Sequence, residues 1–262
     1  MPERAAAGDA VVISPLDAAF LFGAGVLAGV VGTAGGITSL VSYPALLAVG
    51  LGAVPASMTN IVSLAACWPG SALTSRPELA GRGPWLRRWA LVAAAGGLAG
   101  SALLLSTPPG AYVVIVPYLL VFAAVTLLVQ PRLSMWKQRR HTRTNRLVLP
   151  AGLLFASAYN GYFGAGSGIM MLALLTFTFE PDLATANALK NMLVGVATVV
   201  SAVTLVGFGH VDWAAAGPLG FGSFLGSTIG PIVARRIPSH VLRWLVALLG
   251  IGLAVRLWLS PL

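Results

Sequence analysis

The sequence predicts an all-α polytopic membrane protein built from two inverted-topology repeats, each a glycine-broken helical hairpin followed by three transmembrane helices. Three observations predict it. First, 57% of the 262 residues are hydrophobic and 9% are charged, more apolar surface than a soluble domain of this length can hide, so the solvent is lipid. Second, the charges leave long gaps: 58 residues between Asp17 and Arg76, 43 between Arg88 and Arg132, and 33 between Arg146 and Glu180. One spanning helix needs about 20. Third, two glycine clusters, GVVGTAGG at 29–36 and GYFGAGSG at 161–168, recur at an offset of 132 residues, which marks an internal repeat. Strand alternation is absent, so helices that satisfy their own backbone hydrogen bonds are the spanning form.

Taken in order, residues 1–16 form a tail whose single Arg and two acids make a poor secretory signal, so the first apolar segment is expected to be retained. The first repeat, 17–130, carries apolar segments at 17–50, 55–74, 89–106 and 111–130. A basic loop follows at 131–146. The second repeat, 147–262, carries segments at 147–179, 184–206, 213–233 and 241–258. The first and fifth segments are split by the glycine clusters. What remains after each cluster, 37–50 and 168–179, would form helices of about 21 and 18 Å, short of a hydrocarbon core of about 30 Å. Helical hairpins are therefore expected, with full crossing and re-entrant forms both open. Non-helical backbone at such a turn is tolerated where protein or a hydrated cavity covers it.

Charge placement orients the segments. Thirteen of the sixteen Lys and Arg residues fall in three short loops, around 76–88, 132–146 and 235–243, the pattern of cytoplasmic loops. The net charge of +9 therefore reads as topology, and no nucleic-acid partner is expected. Between the second and third basic loops, segments 184–206 and 213–233 already give an even number of crossings, so 147–179 contributes an even number too. The same count for 17–50 inverts the two halves and puts both termini outside. Trp85, Trp89, Trp136, Trp213, Trp244 and Trp258 lie at segment ends as interfacial anchors. A lone Cys67 allows no intramolecular disulfide. No cofactor or metal site is expected.

The clusters are where chemistry is expected. A turn inside the membrane leaves the first amides of the next half-helix without partners, and those amides with the positive end of the helix dipole suit an anion. Gly32, Gly35 and Gly36 in the first cluster, and Gly164, Gly166 and Gly168 in the second, let backbone approach a ligand, while Thr33, Thr38, Ser39 and Ser167 add hydroxyls. Helix packing is the plainer use of such glycines, and it suffices for Gly96 to Gly100 and for Gly222, Gly226 and Gly230. The following helices carry Thr59, Asn60 and Ser63 in the first half and Asn187, Lys190 and Asn191 in the second. Spacings of three and four place the last three on one face. Lys190 is the one cation near the start of a spanning segment that no basic loop explains; it either attracts an anion or snorkels to the interface. The seven acids lie in tails, loops or segment ends.

On these residues the chain resembles the sulfite exporter TauE/SafE family of membrane permeases. The resemblance rests on GVVGTAGG followed by Tyr43 and Pro44, on PASMTN at 55–60, on GYFGAGSG, on ATANALKN, on GFGHVDW at 207–213 and on GSFLGSTIG at 222–230. It covers nearly the whole chain. It implies movement of sulfite, a sulfonate or another small sulfur-containing anion across the bacterial cytoplasmic membrane. Two departures are visible: Gly166-Ser167-Gly168 stands where the family often has three glycines, and Thr176 stands where a proline would match Pro44.

The expected activity is secondary transport by alternating access, not an enzymatic one, with the anion held by amides around 32–39 and 164–168 and by Asn60, Asn187, Lys190 and Asn191. A coupling ion, proton or sodium, and a homodimer are left open as partners beside the lipid bilayer. Two rivals remain. An anion channel would share the site without alternating access. An intramembrane serine protease would use Ser167, but it needs a base within reach, and His141, His210 and His240 all fall in loops or at segment ends. No G-x-x-x-x-G-K-[ST] loop is present for ATP-driven transport.

Overall fold

A computed structural model of the chain describes residues 13–137 and 147–234, and these are helices joined by short connections, with no strand among them. The expected segment 241–258, residues 1–12 of the tail and 138–146 of the basic loop lie outside the described residues. So do His141, Arg235, Arg236, His240, Arg243, Trp244 and Trp258. The described helices are α1 (Pro15–Gly35), α2 (Ser39–Ala48), α3 (Ala53–Leu64), α4 (Cys67–Thr74), α5 (Arg76–Leu79), α6 (Gly83–Ser106), α7 (Pro109–Lys137), α8 (Val148–Tyr162), α9 (Ser167–Thr178), α10 (Leu183–Phe208) and α11 (Trp213–Ala234). Of these, α1, α6 and α10 are long and apolar enough to cross a membrane. Leu91, Leu103, Val203 and Phe208 point outward, more than half exposed, as apolar side chains do when the solvent is lipid.

Local chemistry sets the ends. Ser14 caps α1: its hydroxyl accepts from the Asp17 amide at 3.2 Å while the Asp17 carboxylate accepts from the Ser14 amide at 3.1 Å, a reciprocal capping box. The helix stops at Gly36, whose φ of 77° is left-handed and whose amide donates to Gly32 O at 2.7 Å. In the second half, Gly164 and Gly166, with φ of 85° and 79°, separate α8 from α9. Both clusters therefore break the helix where the sequence analysis placed the turns. At α10, Asp182 is the cap, accepting from the Thr185 amide at 2.9 Å. That bond, reinforced by the Thr185 hydroxyl, holds the Asp182 carboxyl below the usual aspartate range.

The expected single segment 55–74 is two helices, α3 and α4, parted at Ala65 and Ala66. Pro69 has no N–H to give Ala65 O, which instead accepts from Trp68 N at 3.2 Å. α6 begins six residues before the expected 89 and carries Arg87 and Arg88. α7 continues to Lys137, so the first residues of the expected basic loop at 131–146 are helical.

The two most extensive helix interfaces each join one half to the other: α1 against α11, and α6 against α8. At the repeat offset α1 matches α8 and α6 matches α11, so the same pairing occurs twice with the partners exchanged. Glycines make both possible. Gly25 and Gly29 lie on the α11 backbone around Leu219, Ser223 and Ser227, while Gly222, Gly226 and Gly230 lie on α1 from Phe22 to Thr33. Gly96 and Gly100 lie on α8 from Leu154 to Tyr162, and Gly161 lies on α6 at Gly97 and Ser101. Residue numbers rise together along each pair, so each is parallel.

Other contacts fix the remaining directions. α6 and α10 run side by side, joined near their starts by the Arg82–Glu180 ion pair and the Trp85–Phe179 stack, and near their ends by Leu105 beside Gly209. α3 and α4 run with α11, Ser63 near Gly220 and Gly70 near Ser227, and against α10, Met58 near Gly209 and Trp68 on Gly195. Tyr43 of α2, fully buried, packs edge-on against Phe163 at the second glycine turn, ring centroids 5.4 Å apart. This contact packs the second arm of one half's hairpin against the glycine turn of the other's.

Candidate functional site

The two glycine turns meet. A Cβ added to Gly168 would lie 2.6 Å from Gly36 Cα, and one added to Gly36 would lie 2.5 Å from the Gly168 carbonyl carbon. Only glycine allows backbones this close, and Gly36 also needs its positive φ. Beside the contact is a cavity of about 60 Å³, room for about four to six waters or one small oxyanion.

Helix starts from both halves border it. The Thr38, Ser39 and Gly168 amides, at the starts of α2 and α9, donate to no backbone carbonyl among the described residues, and all three residues line the cavity. They are the orphan donors every helix start leaves, here at two converging positive dipole ends.

Lys190 completes the positive side. It is 1% exposed, so its chain does not snorkel. It lines the cavity, and its Nζ donates to Gly32 O at 3.3 Å. Among the described residues the ion pair seen is Arg82–Glu180, and no carboxylate neighbours Lys190. The end of α1 offers roughly half a negative charge in compensation, which leaves the ammonium only partly neutralised. Two neighbours on the same α10 face hold that end as well: Asn187 and Asn191 donate to Thr33 O at 3.0 and 3.4 Å.

A hydrogen-bonded chain fixes the part of the wall between α8, α9 and α10. Thr198 Oγ1 donates to Val194 O at 2.8 Å and accepts from Asn160 Nδ2 at 2.9 Å; Asn160 Oδ1 accepts from Ser167 Oγ at 2.7 Å. Ser167 thus has an amide oxygen and the Gly164 carbonyl as hydroxyl partners. No imidazole neighbours it among the described residues, His210 lying in the connection between α10 and α11.

Of the residues singled out in the sequence, Gly32, Thr33, Gly36, Thr38, Ser39, Gly164, Ser167, Gly168, Lys190 and Asn191 line the cavity. Four do not. Gly35 faces Ile37, and Gly166 faces Ala123 of α7. Asn60 is fully buried, its Oδ1 accepting from Ser42. Asn187 uses its Nδ2 on Thr33 O, and its buried Oδ1 has no partner among the described residues. The sequence reading missed Trp68, Ser71, Asn160 and Thr198, which also line it. Thr198 lies seven residues after Asn191, on the same helix face, and that spacing could have found it. Asn160 is a lone amide in an apolar run just before the second cluster. Trp68 and Ser71 gave no such signal.

The sulfite exporter TauE/SafE family profile matches residues 18–257. The chain is also similar to a protein of Sinorhizobium sp. described as "Probable membrane transporter protein ORF9", at 30% identity over 250 residues, 93% of each chain. No solved structure matches it significantly. With a family match across almost its full length and a transporter relative aligned end to end, the chain belongs to the sulfite exporter TauE/SafE family of membrane transporters.

Proposed function

We propose that the protein carries a small sulfur-containing oxyanion, sulfite or an organosulfonate, across the cytoplasmic membrane, and that the anion binds in the cavity where the two glycine turns meet. The observation that carries this reading is Lys190: a buried ammonium, without a carboxylate partner among the described residues, at a cavity also lined by two helix starts whose first amides lack backbone partners. Desolvating an ammonium costs several kcal/mol by order of magnitude, and an anion in the cavity would offset that cost. An oxyanion also brings enough lone pairs for the Thr38, Ser39 and Gly168 amides at once.

Alternating access is supported by the helix directions. α1 runs with α11, α11 with α3 and α4, and these run against α10; α6 and α8 run with α10. The matched pairs α1 and α8, α3–α4 and α10, and α6 and α11 therefore point opposite ways, the arrangement of an inverted repeat whose halves can rock about a central site. With the basic loops inside, both termini face out, and each short helix after a glycine turn returns to the side its hairpin entered from.

Flux into proteoliposomes tests this. Sulfite, thiosulfate, sulfate and organosulfonates are offered with and without imposed proton or sodium gradients. Saturable uptake of at least one sulfur oxyanion, with counterflow, is expected. Lys190→Met, inserted normally, should lose at least about 30-fold of it, since losing the buried charge that pairs an ion costs about 2–5 kcal/mol. Unchanged flux in Lys190→Met would overturn the site; flux without saturation or counterflow would overturn the carrier mechanism.

A further inference from the structure

One donor in the cavity wall remains unused. Trp68 Nε1 is buried with no hydrogen-bond partner, on a residue that lines the cavity. Its position is built in: the indole lies on α10 at Gly195, where a Cβ would fall inside the ring and 2.8 Å from Nε1. Gly195 is four residues beyond Asn191 and three before Thr198, so the ring rests on the α10 face that borders the cavity. Pro69 sets where this residue sits, because the helix break before it starts α4 at Cys67. An indole N–H can only donate, and leaving a buried donor unmade is costly.

Other groups in the wall are donors too: the Lys190 ammonium and the amides of Thr38, Ser39 and Gly168 can only donate, and no lining side chain is a carboxylate or an imidazole. Neutral acceptors are present, but the Asn160 amide oxygen already accepts from Ser167 and the Thr198 hydroxyl from Asn160. A ligand oxygen that carries a proton therefore finds no charged acceptor.

Resting on the proposed anion site, we infer that Trp68 is a specificity-determining residue whose indole N–H binds a substrate oxygen, so that the cavity selects oxyanions whose oxygens carry no proton. Sulfonates and fully ionised sulfur oxyanions satisfy it. A phosphonate or phosphate retaining a P–OH does not.

Two measurements in proteoliposomes test it. Trp68→Phe removes the donor and keeps an aromatic ring at this position, with the loss of the second ring of the indole. KM for sulfite, or for the sulfur oxyanion the wild type carries best, should rise about tenfold or more, as for a lost hydrogen bond to a charged group, with kcat little changed. A purely structural role for the ring would leave KM within twofold. The second measurement needs no mutation: methanesulfonate and methylphosphonate have the same shape, and at a pH where both are monoanions only the phosphonate bears a hydroxyl. Methanesulfonate should inhibit uptake at least about tenfold more strongly. An unchanged KM in Trp68→Phe, or equal inhibition by the two anions, overturns the inference. Lys190→Met separates the layers: lost flux there with a normal Trp68→Phe removes Trp68 and keeps the anion site, while normal flux in both removes the site itself.

Discussion

Gly36 and Gly50 share a left-handed backbone, with φ of 77° and 94°, yet differ in surroundings: Gly36 lies on the Gly168 backbone and Gly50 has nothing within 4 Å of a Cβ. The pair separates strain from contact. Gly50→Asn should transport like wild type, because Asn tolerates this conformation. Gly36→Ala adds to the φ penalty, about 1–2 kcal/mol, a carbon where the other hairpin already sits. It should abolish flux while still inserting, as should a bulky residue at Gly168, and wild-type flux in both would contradict the contact. Legibility at this scale follows from chemistry. Lys190 and the glycine clusters stood out because a charge or a turn is costly in lipid and needs a reason. Trp68 did not, because an indole in an apolar run is as readily read as packing. Asn60, expected on its polarity to bind the anion, lies outside the cavity lining; its oxygen accepts from Ser42 and its Nδ2 is buried without a partner among the described residues.

At the level of helices, the breaks at both clusters were legible because each left a piece too short to cross. The division of α3 from α4 was not: the run 55–74 is long enough for one crossing, and Pro69 acts through a carbonyl four residues earlier. The glycines of α6 and α11 were read as packing contacts, and their partners on α8 and α1 became visible only in three dimensions. Gly29 meets the α11 backbone, so Gly29→Leu should force α1 from α11 and lower the thermal midpoint in detergent markedly, while Gly23→Leu, open on all sides, should change it little. The α10 cap is expected to respond to pH. The Asp182 carboxyl is lowered by its bonds to Thr185, so its stabilisation is present above the usual aspartate range and lost as pH falls through the lowered value. Asp182→Ala should lower the midpoint at neutral pH and flatten that acid dependence, whereas Asp182→Asn should keep most of the neutral-pH midpoint, since Asn caps nearly as well.

For the molecule as a whole, the all-helical class and the two helix breaks were legible, because composition and the offset of the duplicated clusters are countable in a sequence. How the halves interleave, each large interface taking one helix from either half, was not countable. On one side the halves are tied by Arg82 and Glu180, with the Arg82 guanidinium over Phe179 at 5.7 Å. Because Arg82 is one-third exposed, a double-mutant cycle should give a coupling of about 1–2 kcal/mol, and none if the halves are not held there. Orientation is checked with single cysteines in a Cys67→Ala background. Ala80→Cys should react with an impermeant maleimide only after lysis, and His210→Cys in intact cells; the opposite pattern would reverse the topology. The most direct measurement is the location of a bound anion. An anomalous difference map of crystals grown with selenite or selenate should show one strong peak between Lys190 Nζ and the Gly168 amide, in contact with both hairpins. A cavity without density, with peaks at the surface arginines instead, would contradict the site.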